Sequence, residues 1–335
     1  MSRRMSLATL GCSAIADNRA LPAVGLVPDI ALAAVASRSP EKAARFAEKY
    51  GTKAMTYDEV LEDPTIEAVY LSLPTGLHHE WTARALRAGK HVLCEKPLTT
   101  CIDQARELTG LAVERGLVLR ENFTFLHHPQ HTSVRSLLAD GRFGAVRTFT
   151  ASFGIPPLPA SDIRYNAELG GGALLDLGVY PIRAAQFLLG DNLTVVGAVL
   201  RTDEATGLDL AGHVLLVSDN DVFADLEFGF QHAYRSRYAM WGSAATLTLD
   251  RAFTPPPQRQ PLLRIDEQDH AEEIVLPAAH QFRSSFASFA EAVLQGWRQS
   301  EEQPWLRGAE ETARLIDRIR REAVQVPVRG QVPVR

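Results

Sequence analysis

Cysteine is scarce in this chain. Cys12, Cys94 and Cys101 are the only thiols, and their spacing suits neither a metal-ligand set nor a disulfide framework. That points to a reducing, cytoplasmic setting. No apolar run is long enough for a signal peptide or a membrane span. The Arg3-Arg4 pair has the look of a twin-arginine signal, but a core strand follows it directly. No block of like charge forms a binding tail, and the net charge of −5 argues against nucleic acid and against an anionic membrane surface. Lysine is also scarce. Of 35 basic residues five are lysines, and none lies beyond Lys96.

What is present is hydrophobic patterning for sizeable cores, at 46% apolar residues over 335. That length suits two domains of roughly 100–200 residues each. Apolar runs near 6–10, 30–36, 66–73, 91–95 and 117–121 alternate with helical stretches near 19–25, 40–50, 78–88 and 102–115. The alternation predicts a parallel sheet with crossover helices. Beyond about 125 the pattern changes. A helix at 131–140 and another near 173–189 accompany strands of period two at 146–150, 193–200, 213–217 and 222–230, which suggest an antiparallel sheet. Two last helices are expected near 281–296 and 306–323. The fold class is therefore α/β, with an N-terminal Rossmann dinucleotide-binding domain over 1–124 and a C-terminal α+β domain with an open, mostly antiparallel sheet over 125–324. Residues 325–335 repeat a Gln-Val-Pro-Val-Arg unit and read as a loose tail, or as a strand if something captures it.

Three constellations carry chemistry, the first of them shared between the ends of the first and second strands. Gly11-Cys12-Ser13-Ala14-Ile15-Ala16 occupies the first strand-to-helix turn as a reduced form of the dinucleotide fingerprint, with Gly11 kept and small residues at Ser13 and Ala16. A pyrophosphate suits the helix N-terminus there. Ser37-Arg38 ends the second strand, where an acidic residue would bind the ribose hydroxyl of NAD. A hydroxyl and a guanidinium suit a 2′-phosphate, hence NADP(H). The plain alternative is a helix-capping serine beside a solvent arginine. Glu95-Lys96-Pro97 places a tunable ammonium at a strand's carboxyl end, the edge where ligands bind in such sheets, unless Glu95 and Lys96 are only a surface ion pair.

The third constellation, Gly170-Gly171-Gly172 to Tyr180, puts Asp176 and Tyr180 on one helix face. The tyrosine hydroxyl could give a proton to a developing alkoxide, Lys96 could polarise the same carbonyl, and Asp176 could orient substrate or Lys96. The alternative is a helix-start aspartate and a packing tyrosine. His127, His128 and His131 invite a zinc site, but no acidic or Cys partner stands at suitable spacing, so no metal is expected.

Together these pieces resemble the glucose–fructose oxidoreductase / inositol dehydrogenase (Gfo/Idh/MocA) family over nearly the whole chain, to about residue 320. The family's Asp-x-x-x-His helix here ends in Tyr180. That replacement, with Glu121–His131, Asp162-Ile163-Arg164-Tyr165, Gln231-His232-Ala233-Tyr234 and Phe253–Pro256, resembles the sugar 3-ketoreductases of antibiotic deoxysugar biosynthesis. The resemblance implies an NADP(H) site lined by Gly11, Cys12, Ser13, Ala14, Ile15, Ser37, Arg38, Tyr57, Leu73, His78, Glu95 and Lys96, with Arg164 near cofactor or substrate. It implies that Asp176, Tyr180, Tyr234 and Thr254 face a dTDP-linked keto-deoxysugar. Lys96, Tyr180 and Asp176 are the expected catalytic set. Either Tyr180 or Lys96 could be the proton donor, and Tyr180 is favoured because a phenol of pKa about 10 stays protonated at neutral pH. The implied reaction is NADPH-dependent reduction at C3 of dTDP-3,4-didehydro-2,6-dideoxy-α-D-glucose. A diol or aldose dehydrogenase of the same family, and a non-catalytic nucleotide sensor, are the rival readings. A homo-oligomer is expected by resemblance.

Overall fold

The computed structural model describes residues 3–328, which form two compact units. The first holds a parallel sheet of six strands: β1 (Met5–Leu10), β2 (Ile30–Ala36), β3 (Lys53–Met55), β4 (Ala68–Leu71), β5 (His91–Glu95) and β6 (Leu119–Asn122). Their order is β3-β2-β1-β4-β5-β6, with every neighbouring pair parallel. Chain direction across the sheet reverses between β1 and β4, and such a switch point opens a crevice at the carboxyl ends of the strands. The central strands are mostly apolar because helices cover both faces; all four residues of β4 are fully buried.

The crossovers are α1 (Leu21–Val24), entered through a wide π-type turn at Ala16–Ala20, then α2 (Pro40–Tyr50), α3 (Tyr57–Glu62), α4 (His78–Arg87) and α5 (Ile102–Arg115). Local chemistry sets their ends. Ser39 caps α2 by accepting from Lys42 N at 3.1 Å, and Gly51 stops it at φ 63°. The short β3 and α3 were not legible from apolar periodicity. Their signal was a capping box, in which Thr56 Oγ1 accepts from Glu59 N at 3.2 Å and Glu59 Oε2 accepts from Thr56 N at 2.6 Å.

The second unit holds nine strands: β7 (Val146–Gly154), β8 (Leu193–Asp203), β9 (Asp209–Ser218), β10 (Phe223–Gly229), β11 (Arg235–Gly242), β12 (Thr246–Asp250), β13 (Leu262–Asp266), β14 (Ala271–Val275) and β15 (Val324–Val328). Their order is β14-β13-β12-β11-β7-β10-β9-β8-β15. Only β7/β10 and β8/β15 run parallel. With α6 (Pro129–Ala139) and α7 (Val179–Leu189), this unit has one covered and one uncovered sheet face. α7 and the π-type turn before it, Leu174–Gly178, lie on the covered face. A Cβ on Gly178 would stand 3.0 Å from the Phe228 ring of β10, so glycine allows that approach.

In the carboxyl-terminal third the domain bounds need correction, and for part of the tail the strand alternative holds. The second domain is not one continuous stretch over 125–324. Residues 281–313, comprising α8 (Gln281–Gln295) and the first part of α9 (Gln299–Glu322), pack with the first unit. Phe286 and Phe289 are fully buried there, with Phe286 edge-on to Tyr70 at 5.1 Å. Arg120 of β6 forks onto Glu302, with Nε to Oε2 at 3.0 Å and Nη2 to Oε1 at 2.6 Å. The tail is not wholly loose either. Val324–Val328 joins the sheet edge in parallel with β8, and Pro327 is tolerated there because an edge strand leaves one row of N–H groups unpaired. The second copy of the tail repeat, 331–335, lies outside the described residues.

Candidate active site

The nucleotide half is built on the turn after β1. Gly11 has φ 103°, and a Cβ there would meet Ser72 O at 2.5 Å and Leu73 Cδ2 at 2.9 Å. Glycine is thus required twice, by conformation and by close approach of the β4 end. Ser13 Oγ accepts from Ala16 N at 3.1 Å and shares a hydrogen bond with the Ser72 hydroxyl. Ala14 and Ile15 begin the helix exposed. Cys12 is buried, its thiol directed at Ala36 O, and burial pushes the thiol up to about 11, so it is no nucleophile. Ser37 and Arg38 follow β2 beside this turn, since Gly11 N donates to Ala36 O at 3.0 Å. The helix cap of α2 is Ser39, which leaves Ser37 outside the helix with Arg38 exposed. Tyr57 is buried against Trp81, and burial pushes its hydroxyl pKa up. These residues fit NADP(H): a turn that would clash with any Cβ, free helix N–H groups, and a hydroxyl with a guanidinium at the β2 end.

Lys96 follows β5 at the same carboxyl edge. Glu95 accepts from the Tyr70 hydroxyl at 2.7 Å and from Asn122 Nδ2 at 2.8 Å, and Asn122 Oδ1 accepts from Ser285 Oγ at 2.7 Å. Burial raises the Glu95 carboxyl, while Tyr70, Asn122 and the Lys96 charge and backbone N–H oppose that rise. His78 is 1% exposed, with its ring nitrogens 2.7 Å from Pro97 O and 2.8 Å from Leu73 O. These bonds define the surroundings of His78 and Glu95, two residues expected to line the NADP(H) site. Both side chains are occupied by protein groups, and they brace the segments on either side of Lys96. Leu73 itself is half-buried at the turn below Gly11. Tyr70, Asn122 and Ser285 carried no sequence signal, because their roles come from three adjacent strands and a distant helix meeting.

In the second unit Asp176 lies on the π-type turn and Tyr180 in the first turn of α7. Val179 N reaches Leu174 O, so the segment is wider than the regular helix expected. Such bulges recur at functional sites. The glycine triplet has direct causes. A Cβ on Gly171 would stand 2.5 Å from Arg164 O, and one on Gly172 2.5 Å from Asp209 Oδ1. Asp209, half-buried on β9, accepts from Leu174 N and so caps this helix from across the sheet.

Arg164 Nε donates to Asp176 Oδ2 at 2.6 Å, and its Nη1 to Asp162 at 3.1 Å. Burial alone would weaken the guanidinium charge, but Asp176 and Asp162 hold it above its ordinary value. The Tyr180 ring stands among Phe153 at 5.0 Å, Phe253 at 5.7 Å and Phe125 at 6.0 Å. Tyr234 and Thr254 share a hydrogen bond of 2.6 Å, and Phe153 lies 6.4 Å from the Tyr234 ring. This unit thus brings Arg164, Asp176, Tyr180, Tyr234 and Thr254 into one neighbourhood.

The histidines near 130 hold structure. His128 Nδ1 accepts from Gln130 N at 3.2 Å, capping α6. His131 Nδ1 meets the Tyr238 hydroxyl at 3.0 Å, while Nε2 meets Ala252 O at 2.9 Å. Among the described residues no group of three or more His, Cys, Asp or Glu could hold a metal. None of the described helices is long and apolar enough to cross a membrane.

A sheet of this order with a glycine turn at its switch point, followed by an α+β unit, defines a dinucleotide-binding oxidoreductase. Residues 5–123 match the GFO_IDH_MocA model, described as an oxidoreductase family with an NAD-binding Rossmann fold, and residues 131–248 match the GFO/IDH/MocA C-terminal domain. The chain belongs to this family. It is 50% identical over 312 residues to a dTDP-3,4-didehydro-2,6-dideoxy-α-D-glucose 3-reductase of Actinomadura kijaniata, covering 93% of both chains. A protein of the same name from Saccharopolyspora spinosa is 49% identical, over 88% of this chain and 90% of that one. The structure of a 3-ketoreductase from Actinomadura kijaniata, solved with NADP and TDP-benzene, superposes with a TM-score of 0.94 at 48% identity, covering 97% of this chain and all of that one.

Proposed function

We propose that this protein is an NADPH-dependent ketoreductase acting at C3 of dTDP-3,4-didehydro-2,6-dideoxy-α-D-glucose, yielding dTDP-4-dehydro-2,6-dideoxy-α-D-glucose. The observation that carries the reading is the Arg164–Asp176 pair beside Tyr180. Asp176 is held as a carboxylate by a guanidinium at 2.6 Å, which leaves the tyrosine hydroxyl as the proton-bearing group of the two. When bound, NADPH supplies the hydride that reduces the C3 carbonyl. The turn at Gly11–Ile15 holds the pyrophosphate, and Ser37 with Arg38 holds the 2′-phosphate. Tyr180 gives its proton to the oxygen as the carbonyl becomes an alcohol and regains one from solvent. Lys96 supplies positive charge that favours the alkoxide, and the Glu95 and His78 braces limit its motion. Asp176 and Arg164 orient the sugar. The relatives' names and the NADP and TDP-benzene of the superposed structure support this reading.

The test is NADPH oxidation followed at 340 nm with the diketo dTDP-sugar generated in place. Wild type should turn over, and Tyr180→Phe should lose about 10²–10⁴ in kcat, the usual contribution of a positioned acid. Turnover unaffected by the substitution would remove Tyr180 as the acid. No turnover by wild type, with activity on free sugars or diols, would replace the substrate.

A homo-oligomer belongs to the same proposal. Pairing register puts Val199, Leu215, Phe223 and Trp241 on the uncovered sheet face, and these side chains are 37–65% exposed. An apolar face of that extent fits a second copy of the chain.

A further inference from the structure

Arg251 stands at the corner between β12 and the Phe253–Pro256 stretch, and its backbone is unusual. It has φ 56°, the left-handed region that residues other than Gly rarely adopt. Gln231, just before Tyr234, has φ 64°, so two of the three non-glycine positive-φ residues among those described flank one spot. Such conformations persist only where surrounding structure over-determines them, and they gather at ligand sites.

The over-determination is visible. Ala252 N donates to Ser236 O at 3.0 Å, and Phe253 N to Ser236 Oγ at 2.9 Å. Ala252 O accepts from Gln130 Nε2 at 2.8 Å and lies 2.9 Å from His131 Nε2, both from buried side chains of α6. His131 Nδ1 in turn meets Tyr238. This locked segment turns the Arg251 guanidinium onto the Tyr234 ring, 4.1 Å from its centroid. Among the described residues it forms no ion pair with a carboxylate. The Tyr234 and Thr254 hydroxyls, bonded to each other, stand beside it.

Distance gives this corner a meaning. One ring, Phe153, separates Tyr234 from Tyr180. In a nucleotide-linked sugar, C3 is joined to the first phosphorus through C2, C1 and the glycosidic oxygen, so a group that holds the diphosphate belongs near the one that serves C3. We propose that Arg251, with the Tyr234 and Thr254 hydroxyls, is the diphosphate anchor that makes this enzyme select nucleotide-linked over free sugars. A planar guanidinium fork already oriented by an aromatic face, with its donors unpaired, suits phosphate oxygens. The inference rests on the sugar-nucleotide reading above.

The test compares binding of dTDP and of thymidine by calorimetry in wild type, Arg251→Gly and Arg251→Lys, with NADPH binding as a control for folding. Glycine adopts the left-handed conformation at no cost, so Arg251→Gly removes the side chain without loading the backbone. Losing one charge-assisted contact should weaken dTDP about 10- to 100-fold. Thymidine and NADPH affinities should not change, and Arg251→Lys should recover part of the loss. Equal dTDP affinity in Arg251→Gly and wild type would overturn the Arg251 assignment and leave the proposed substrate standing. No dTDP binding by a wild type that binds NADPH would overturn both. A thymidine loss as large as the dTDP loss would place Arg251 at the base rather than the diphosphate.

Discussion

Glu302→Ala should unfold the nucleotide-binding unit from its far end. Arg120 and Glu302 are 8% and 2% exposed at the side chain, and Arg120 also donates to Ser288 Oγ at 2.9 Å and stacks on Trp305 at 4.8 Å. At an effective dielectric near 20, unit charges about 4 Å apart attract by ~4 kcal/mol. Breaking a buried pair from one side strands the other charge, which typically costs about 3–5 kcal/mol. At roughly 2–4 °C per kcal/mol for a unit of this size, the transition should fall by about 6–20 °C. Thermal melts followed by circular dichroism and by tryptophan fluorescence would read it, with Trp305 reporting the pair locally. The paired substitution Arg120→Met with Glu302→Leu removes both charges and should recover most of the loss. A single Glu302→Ala variant melting within about a degree of wild type would refute the reasoning, because helix α9 would then not be fastened to β6 through this pair.

Two further outcomes follow from other parts of the molecule. Burial lowers His128 from the usual 6.5 to about 4 and His131 to about 3, so below pH 6.5 the unfolded chain binds protons that the folded chain does not. Their contribution to stability is complete above 6.5, falls as pH drops below 6.5 and levels off near about 4 and 3, with roughly 2 kcal/mol lost for each by pH 5. Urea unfolding of the second unit between pH 7 and 5 would show it, and a flat profile would contradict it. On the uncovered sheet face, Trp241→Glu should convert an oligomer to a smaller species in light scattering; a wild type already monomeric at micromolar concentration would end the proposal.

Much of the nucleotide-binding unit was legible because its signals are local. Helix α2 runs from Pro40 to Tyr50 as the Pro and Gly punctuation indicates, and α5 covers Ile102–Arg115 as expected. Between them β4 and the middle of β5 are apolar because both sheet faces are covered. The short β3 and α3 escaped because three and six residues carry too little periodicity. In the second unit, β11 to β14 also escaped. Their alternation is regular, but β12, β13 and β14 are only five residues each, and tight connections such as Gly242–Ala245 leave little punctuation between strands.

The candidate site divides the same way. Gly11, Ser37, Arg38, Lys96, Asp176 and Tyr180 announce themselves by residue type and by position at strand or helix ends. His78 and Glu95 were visible as residues but not as braces. A side chain's partners depend on which carbonyl or hydroxyl a neighbouring strand brings to it.

The sequence by itself determined the class of fold and the NADP(H) cofactor, and it marked Lys96 and the Asp176–Tyr180 pair as candidates. Backbone periodicity, caps and short motifs act between residues close in the chain. Only the tertiary structure decided that 281–313 completes the first unit, that Asp209 caps the helix bearing Tyr180, and that Arg251 turns onto Tyr234. Those outcomes join residues far apart in the chain. Burial of Arg120 and His131 became favourable only once distant partners had closed around their polar groups.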